Sequence, residues 1–180
     1  MSKLQSLLGS DRAERQNVDG DPMVVLFSGL PATGKSSFCR YLAHEHGFAH
    51  YNLEIFPDGW PQPSLKPLWD ADRLDFVRRL EAAHPRVALD WGFPPSFLPW
   101  VEELSRAGVR IVWFSADPEQ ARKAFTARGG VDIGHFDLQI EAIRKANLPD
   151  AMTATTLETL GSDGQFLSPS QILEGLKSLF

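Results

Sequence analysis

Nine consecutive residues, Gly29-Leu30-Pro31-Ala32-Thr33-Gly34-Lys35-Ser36-Ser37, hold the most specific chemistry in the chain. Their spacing, G-x-x-x-x-G-K-S, suits a nucleotide's phosphates. Glycines let backbone N–H groups close round anionic oxygens with no Cβ in the way. Lys35 can reach the outer phosphates, and the Ser36 hydroxyl can ligate the Mg²⁺ that travels with ATP. The competing reading is an ordinary glycine turn, and the flanks argue against it. Apolar Met23–Phe27 precedes the loop and helix-compatible Phe38–His46 follows it. A strand feeding a glycine loop that opens a helix aims a partial positive charge at the bound anion.

Other candidates stand further along. Asp90 closes a short apolar run, Arg86–Asp90, on a carboxylate able to serve the Mg²⁺ side of the site. Its alternative is a turn or capping aspartate. Glu54 follows a second strand-like run, Phe48–Leu53, and could orient an acceptor hydroxyl and take its proton. Its alternative is a solvated loop glutamate. His50 and Asp58 are weaker candidates there, His50 reading better as a packed or surface residue. Arg122 and Arg128 could neutralise charge on a transferring phosphoryl group. Arg128, beside Gly129-Gly130, suits a moving lid near 128–136, whereas surface arginines are the plain reading. The proline-rich stretch 56–69 carries Trp60 and Trp69, and Trp91 and Phe93 follow Asp90. These aromatics are either an acceptor pocket or packing over the sheet edge.

The elements that must position these residues follow from periodicity. Met23–Ser28 is a buried strand, and the helix from Lys35 ends near His46 at Gly47. Stretch 56–63 is too proline-rich for regular structure, and Ala71–Ala83 is one amphipathic helix. Ser96–Ala107 is a helix, Val109–Phe114 a fourth strand, and Asp117 caps a helix to about Arg128. Phe136, Ile140 and Ile143 mark another helix, Thr153–Leu160 a last strand, and Ser168 opens a terminal helix through Leu179. Strands alternating with helices imply an α/β fold, a parallel sheet covered on both faces. Right-handed crossovers bring the glycine loop to the carboxyl edge, where ligands of such folds sit.

A chain of 180 residues, 43% hydrophobic and 23% charged, is expected to form one domain over 22–180 behind a polar lead-in, 1–21. The net charge of -5 argues against a broad nucleic-acid surface. Cys39 is the only cysteine, which excludes internal disulfides and cysteine-cluster zinc sites and reads as a small buried residue. No apolar run reaches membrane-spanning length and no signal-peptide core is visible, so the cytoplasm is the expected compartment.

Gly29–Ser37 resembles the G-L-P-x-x-G-K-S/T start of small P-loop kinases of the AAA-domain type, near the zeta-toxin, chloramphenicol phosphotransferase and polynucleotide kinase groups. Val87–Asp90, the stretch through Val112, and Asp117 to Arg128 are similar to their second carboxylate strand, the next helix and strand, and the helix into an arginine-bearing lid. The resemblance implies ATP and Mg²⁺, a P-loop NTPase three-layer sandwich with a five-stranded parallel sheet of order 2-3-1-4-5, and transfer of a γ-phosphoryl to a hydroxyl. It implies an acceptor-side aspartate after the second strand and an arginine two residues on. Glu54 and Phe56 stand there instead, and 129–136 carries no second arginine.

Two functions fit. One is a kinase: Lys35 and the loop amides hold ATP, Ser36 and Asp90 hold Mg²⁺, Glu54 or Asp90 orients a small-molecule or nucleotide-end hydroxyl, and Arg128 closes over the phosphoryl group. The other is a nucleotide-dependent switch or binding module. A guanine-reading N-K-x-D motif is missing, which disfavours a GTPase.

Overall fold

The computed structural model describes residues 22–54, 59–129 and 132–180. The expected lead-in, Phe56, Asp58 and the tip of the expected lid at 130–131 lie outside them. Five strands, β1 (Met23–Gly29), β2 (Ala49–Asn52), β3 (Arg86–Asp90), β4 (Arg110–Ala116) and β5 (Thr155–Leu160), form one sheet in the order β2-β3-β1-β4-β5. Every neighbouring pair runs parallel. Seven helices are described: α1 (Lys35–His46), α2 (Lys66–Ala71), α3 (Arg73–Ala83), α4 (Leu98–Arg106), α5 (Pro118–Arg128), α6 (Ile133–Lys145) and α7 (Pro169–Gly175).

The two-residue period of the strands sorts their side chains onto two faces. Val24, Leu26, Tyr51, Val87, Leu89, Ile111 and Trp113 enter one apolar cluster, beneath residues of α3 and α4. Val25, Phe27, Ala88, Val112 and Phe114 enter the other, with Phe38, Cys39 and Leu42 of α1 and Ile172 of α7. Each central strand is therefore apolar in both registers, as a sheet covered on both sides requires. A third, smaller cluster joins Ala121 and Phe125 of α5 to Phe136 of α6, with Ala32 of the glycine loop packed against it.

Several local expectations are corrected. Regular structure resumes on the last residue of the proline-rich 56–63 stretch: Pro63–Leu65 is a 3-10 turn, and α2 carries Trp69 into the core. Ala71–Ala83 is not one helix. Asp72 has extended φ/ψ, ends α2, and caps α3 by accepting the Asp75 N–H at 2.9 Å. The terminal helix stops at Gly175 and continues only as a 3-10 turn, Lys177–Leu179. At α5, Asp117 takes the N–H groups of Glu119 and Gln120 as expected, but the Gln120 side chain reaches Ser162 O at 3.2 Å. The complete reciprocal capping box sits at Ser168 and Gln171 instead. No helix among the described residues is long and apolar enough to cross a membrane.

Candidate active site

The ends of β1, β2 and β3 meet at the carboxyl edge, and the expected residues arrive on them. Gly29 ends β1 at φ 131°, and a Cβ there would stand 2.1 Å from Phe114 O. Only glycine lets the chain turn so close to β4. Leu30 N–H then donates to Phe114 O at 3.0 Å. Ala32 and Gly34 also have positive φ, 61° and 88°, so the loop curls before α1 begins at Lys35. Inside the curl, the Thr33 hydroxyl donates to Leu30 O at 2.7 Å. From β5, the fully buried Thr159 hydroxyl donates to Thr33 O at 2.8 Å. A concave turn of backbone is thus held between β4 and β5.

Lys35 is 9% exposed and folds back over the loop, with Nζ donating to Leu30 O at 3.0 Å and Gly29 O at 3.5 Å. Burial lowers its pKa, the Glu54 and Asp90 carboxylates oppose that, and the Arg128 charge adds to the lowering. Among the described residues its hydrogen bonds go only to loop carbonyls, which an anionic oxygen could replace. Ser36, one residue on, is half-buried in the first turn of α1.

Asp90 ends β3 on the α1 side of the sheet and is fully buried. Asn52, its partner in register on β2, donates to Oδ2 at 3.1 Å, and His50 Nε2 lies 3.5 Å from the same oxygen. Oδ1 has no hydrogen-bond partner among the described residues. A buried carboxylate with an orphaned oxygen is costly unless a cation or a ligand donor completes it. Oxygen donors from Asp90 and the Ser36 hydroxyl suit Mg²⁺, so the residues present fit that ion.

Glu54 is exposed just past β2, and its carboxylate accepts the Gly92 N–H. A Cβ on Gly92 would stand 2.5 Å from Glu54 Oε1 and 3.8 Å from Lys35 Cε, which sets Glu54, Gly92 and Lys35 in one group. Asn52 ties the two carboxylates together, since its Oδ1 also accepts the Glu54 N–H at 2.9 Å. Glu54 is therefore a fixed residue and not a free loop side chain.

No protein-family model matches the chain, and no curated protein sequence does. Solved structures match its shape. A gluconokinase from Sinorhizobium meliloti superposes with TM-score 0.56 at 14% identity, over 88% of this chain and 94% of that one. A shikimate kinase from Bacteroides thetaiotaomicron gives 0.54 at 15%, over 87% and 95%. A sugar kinase from a Janibacter species gives 0.57 at 16%, over 88% and 94%. The fold is that of the P-loop kinases. At these identities the likeness is one of backbone, and the chemistry must be argued from this chain's own side chains.

In this P-loop kinase fold the two arginines differ in setting. Arg122 makes a two-pronged pair with Asp137 of α6, at 2.9 and 3.1 Å, half exposed on both sides. The pair ties α5 to α6 and engages one edge of the guanidinium. Arg128, exposed at the end of α5, stacks over Phe125 at 4.9 Å and is close enough for its charge to act on Lys35. The aromatics after β2 and β3 pack inward: Trp60, Trp69, Trp91 and Phe93 are all buried, and Trp60 Nε1 donates to Asn52 O at 2.7 Å.

Three residues escaped the sequence reading. Asn52 was visible only through the period-two alternation that sets it on the same face as His50. Thr159 looked like one threonine among several near the last strand. Phe166, half exposed after β5, lies against Gly34, where a Cβ would meet its ring at 3.8 Å. Nothing in its local sequence distinguishes it.

Proposed function

We propose that this protein is an ATP-dependent phosphotransferase that moves the γ-phosphoryl group of MgATP to a hydroxyl of a small molecule. The observation that carries the reading is the buried group at one sheet edge: a curled glycine loop, a buried lysine bonded only to its carbonyls, and a buried aspartate with an orphaned oxygen. The likeness of the fold to small-molecule kinases supports it.

In this reading the amides of Gly29 to Ser37 cradle the phosphates, and Lys35 swings from Leu30 O to the outer phosphate oxygens. Ser36 and Asp90 would hold Mg²⁺, which would neutralise charge on the phosphates. The exposed face of Phe166 gives the base a stacking surface beside Gly34. Glu54, held by the Gly92 and Asn52 contacts, accepts the proton of the acceptor hydroxyl. Its separation from the loop is bridged by Lys35, which balances its charge. Arg128, exposed at the end of α5, is the arginine placed to approach the transferring group, with Arg122 paired to Asp137.

Release of ADP measured against a panel of polyols, sugars, sugar acids, nucleosides and aminoglycosides tests the proposal. At least one acceptor should raise turnover about tenfold or more over hydrolysis in water. Uniformly slow hydrolysis, indifferent to every acceptor, would instead favour a nucleotide-dependent switch.

A further inference from the structure

Behind the phosphate loop lies a second cluster, which shares Asp90 with the proposed Mg²⁺ site and adds two side chains that phosphoryl transfer does not use. Cys39 of α1, His50 of β2 and Asp90 of β3 bring a thiol, an imidazole nitrogen and a carboxylate oxygen within 4.8 Å of one another. The fold builds this group from three elements. His50 and Asn52 alternate onto the α1 side of β2, and Ala88, the partner of His50 in register, is small enough to leave room between them. Cys39 is fully buried and descends onto the same spot from one turn beyond Lys35.

We propose that Cys39 Sγ, His50 Nε2 and an Asp90 carboxylate oxygen form a site for one borderline-soft divalent cation of the Zn²⁺ class, with water as the remaining ligand. Two polar atoms in the cluster lack partners among the described residues, His50 Nε2 and Asp90 Oδ1, and Asp90 is wholly buried. That absence of partners is what a ligand set looks like before its ion arrives. Tetrahedral ligands about 2.0–2.3 Å from zinc stand roughly 3.3–3.8 Å apart. The His50–Asp90 edge, 3.5 Å, already has that length, and the thiol needs only a small approach. One sulfur, one nitrogen and one oxygen select Zn²⁺ or Co²⁺ over Mg²⁺, which prefers oxygen alone. The His50 side chain, 17% exposed, is the member of the cluster that reaches towards solvent.

Because Asp90 belongs to both groups, the two ions compete for its carboxylate. An ion held by Cys39 and His50 withdraws Asp90 from the Mg²⁺ side, so the soft cation inhibits nucleotide binding. This last step rests on the proposed MgATP site; the metal site itself does not.

Anaerobic titration of the full chain with Co²⁺, followed by absorbance, tests the site. Cys39 is the only cysteine, so a thiolate-to-cobalt charge-transfer band can come from no other residue. The expected result is a band that saturates at one equivalent and is displaced by Zn²⁺. It disappears in Cys39→Ser, and apparent affinity falls at least about a hundredfold in His50→Gln, as loss of a ligand demands. His44→Gln, exposed on α1, leaves it unchanged. His50→Gln keeps the test open should the buried Cys39→Ser variant fold poorly. A chain that gives no thiolate band, or a band indifferent to His50→Gln, overturns the site. Saturating MgATP should weaken Co²⁺ binding about tenfold or more. An undiminished band in MgATP contradicts the sharing of Asp90 while the metal site stands, which separates this inference from the phosphotransferase reading.

Discussion

Lys35 illustrates how the charge proposed to act on the phosphates can sit buried without stabilising the fold. Burial works against its ammonium, the Glu54 and Asp90 carboxylates only partly offset that, and its two hydrogen bonds go to carbonyls of its own loop. Removing the charge should therefore cost activity and not structure. Lys35→Ala is expected to lower kcat on the order of 10²- to 10³-fold, the range for losing one preorganised charge-stabilising donor. Its unfolding free energy by urea denaturation should stay within about 1 kcal/mol of the parent. Phe166 makes the complementary case. It is half exposed beside Gly34, so nothing in the core depends on it. If the base stacks there, Phe166→Ala should weaken ATP binding by about 1–3 kcal/mol, read by calorimetric titration, with unfolding unchanged. The nine loop residues and Asp90 could be proposed from the sequence because phosphate chemistry asks for such types at strand ends, and the structure brings them to one sheet edge. Phe166 could not, because any exposed aromatic reads alike until the chain folds it against the loop.

The elements explain why the loop holds its shape. Gly29 touches β4 so closely that a side chain has no room, and Thr159 reaches across from β5 to hold Thr33 O. The loop is thus braced by two strands far from it in sequence. Thr159→Val keeps the volume and removes the donor, leaving a buried carbonyl unpaired at about 1–3 kcal/mol. The expected outcome is a lower denaturation midpoint together with a raised KM for ATP. A drop in stability with unchanged nucleotide affinity would show that the loop does not need the brace. At this scale the sequence was readable where caps and periodicity agree, as at α1, β3 and α5. It misled where one helical pattern crossed Asp72: Ala71 to Ala83 has a continuous apolar period, but the Asp72 side chain finds a cap interaction that breaks it in two. The aromatics of the 59–69 stretch were ambiguous for a similar reason. Whether Trp60 walls a pocket or fills the core depends on its bond to Asn52 O, a contact that composition cannot reveal.

For the molecule as a whole, the strand order comes only with the resemblance to the P-loop kinases, whereas the parallel sheet and its two-faced core follow from alternation of strand and helix. The acceptor side does not, because it is built from loops whose packing is particular to this chain. The larger core cluster makes one prediction about stability. Tyr51 is fully buried there, its hydroxyl 3.1 Å from His84 Nε2, and burial pushes its phenol from near 10 up to about 12. A folded pKa above the unfolded one means that the contribution is complete below about pH 10 and is lost as the pH climbs towards about 12. Wild type should exceed Tyr51→Phe by about 1 kcal/mol near neutrality, the worth of the hydrogen bond. The difference should shrink and then reverse above about pH 10, as followed by urea denaturation; a pH-independent difference would contradict it. Phosphoryl transfer is decided by the fate of one phosphorus atom. ³¹P NMR of MgATP with the protein and an acceptor that accelerates ADP release should show the γ-phosphorus entering a phosphate monoester, with no such signal for Lys35→Ala. Inorganic phosphate as the sole product in every mixture, or an ester signal that survives Lys35→Ala, would contradict the account.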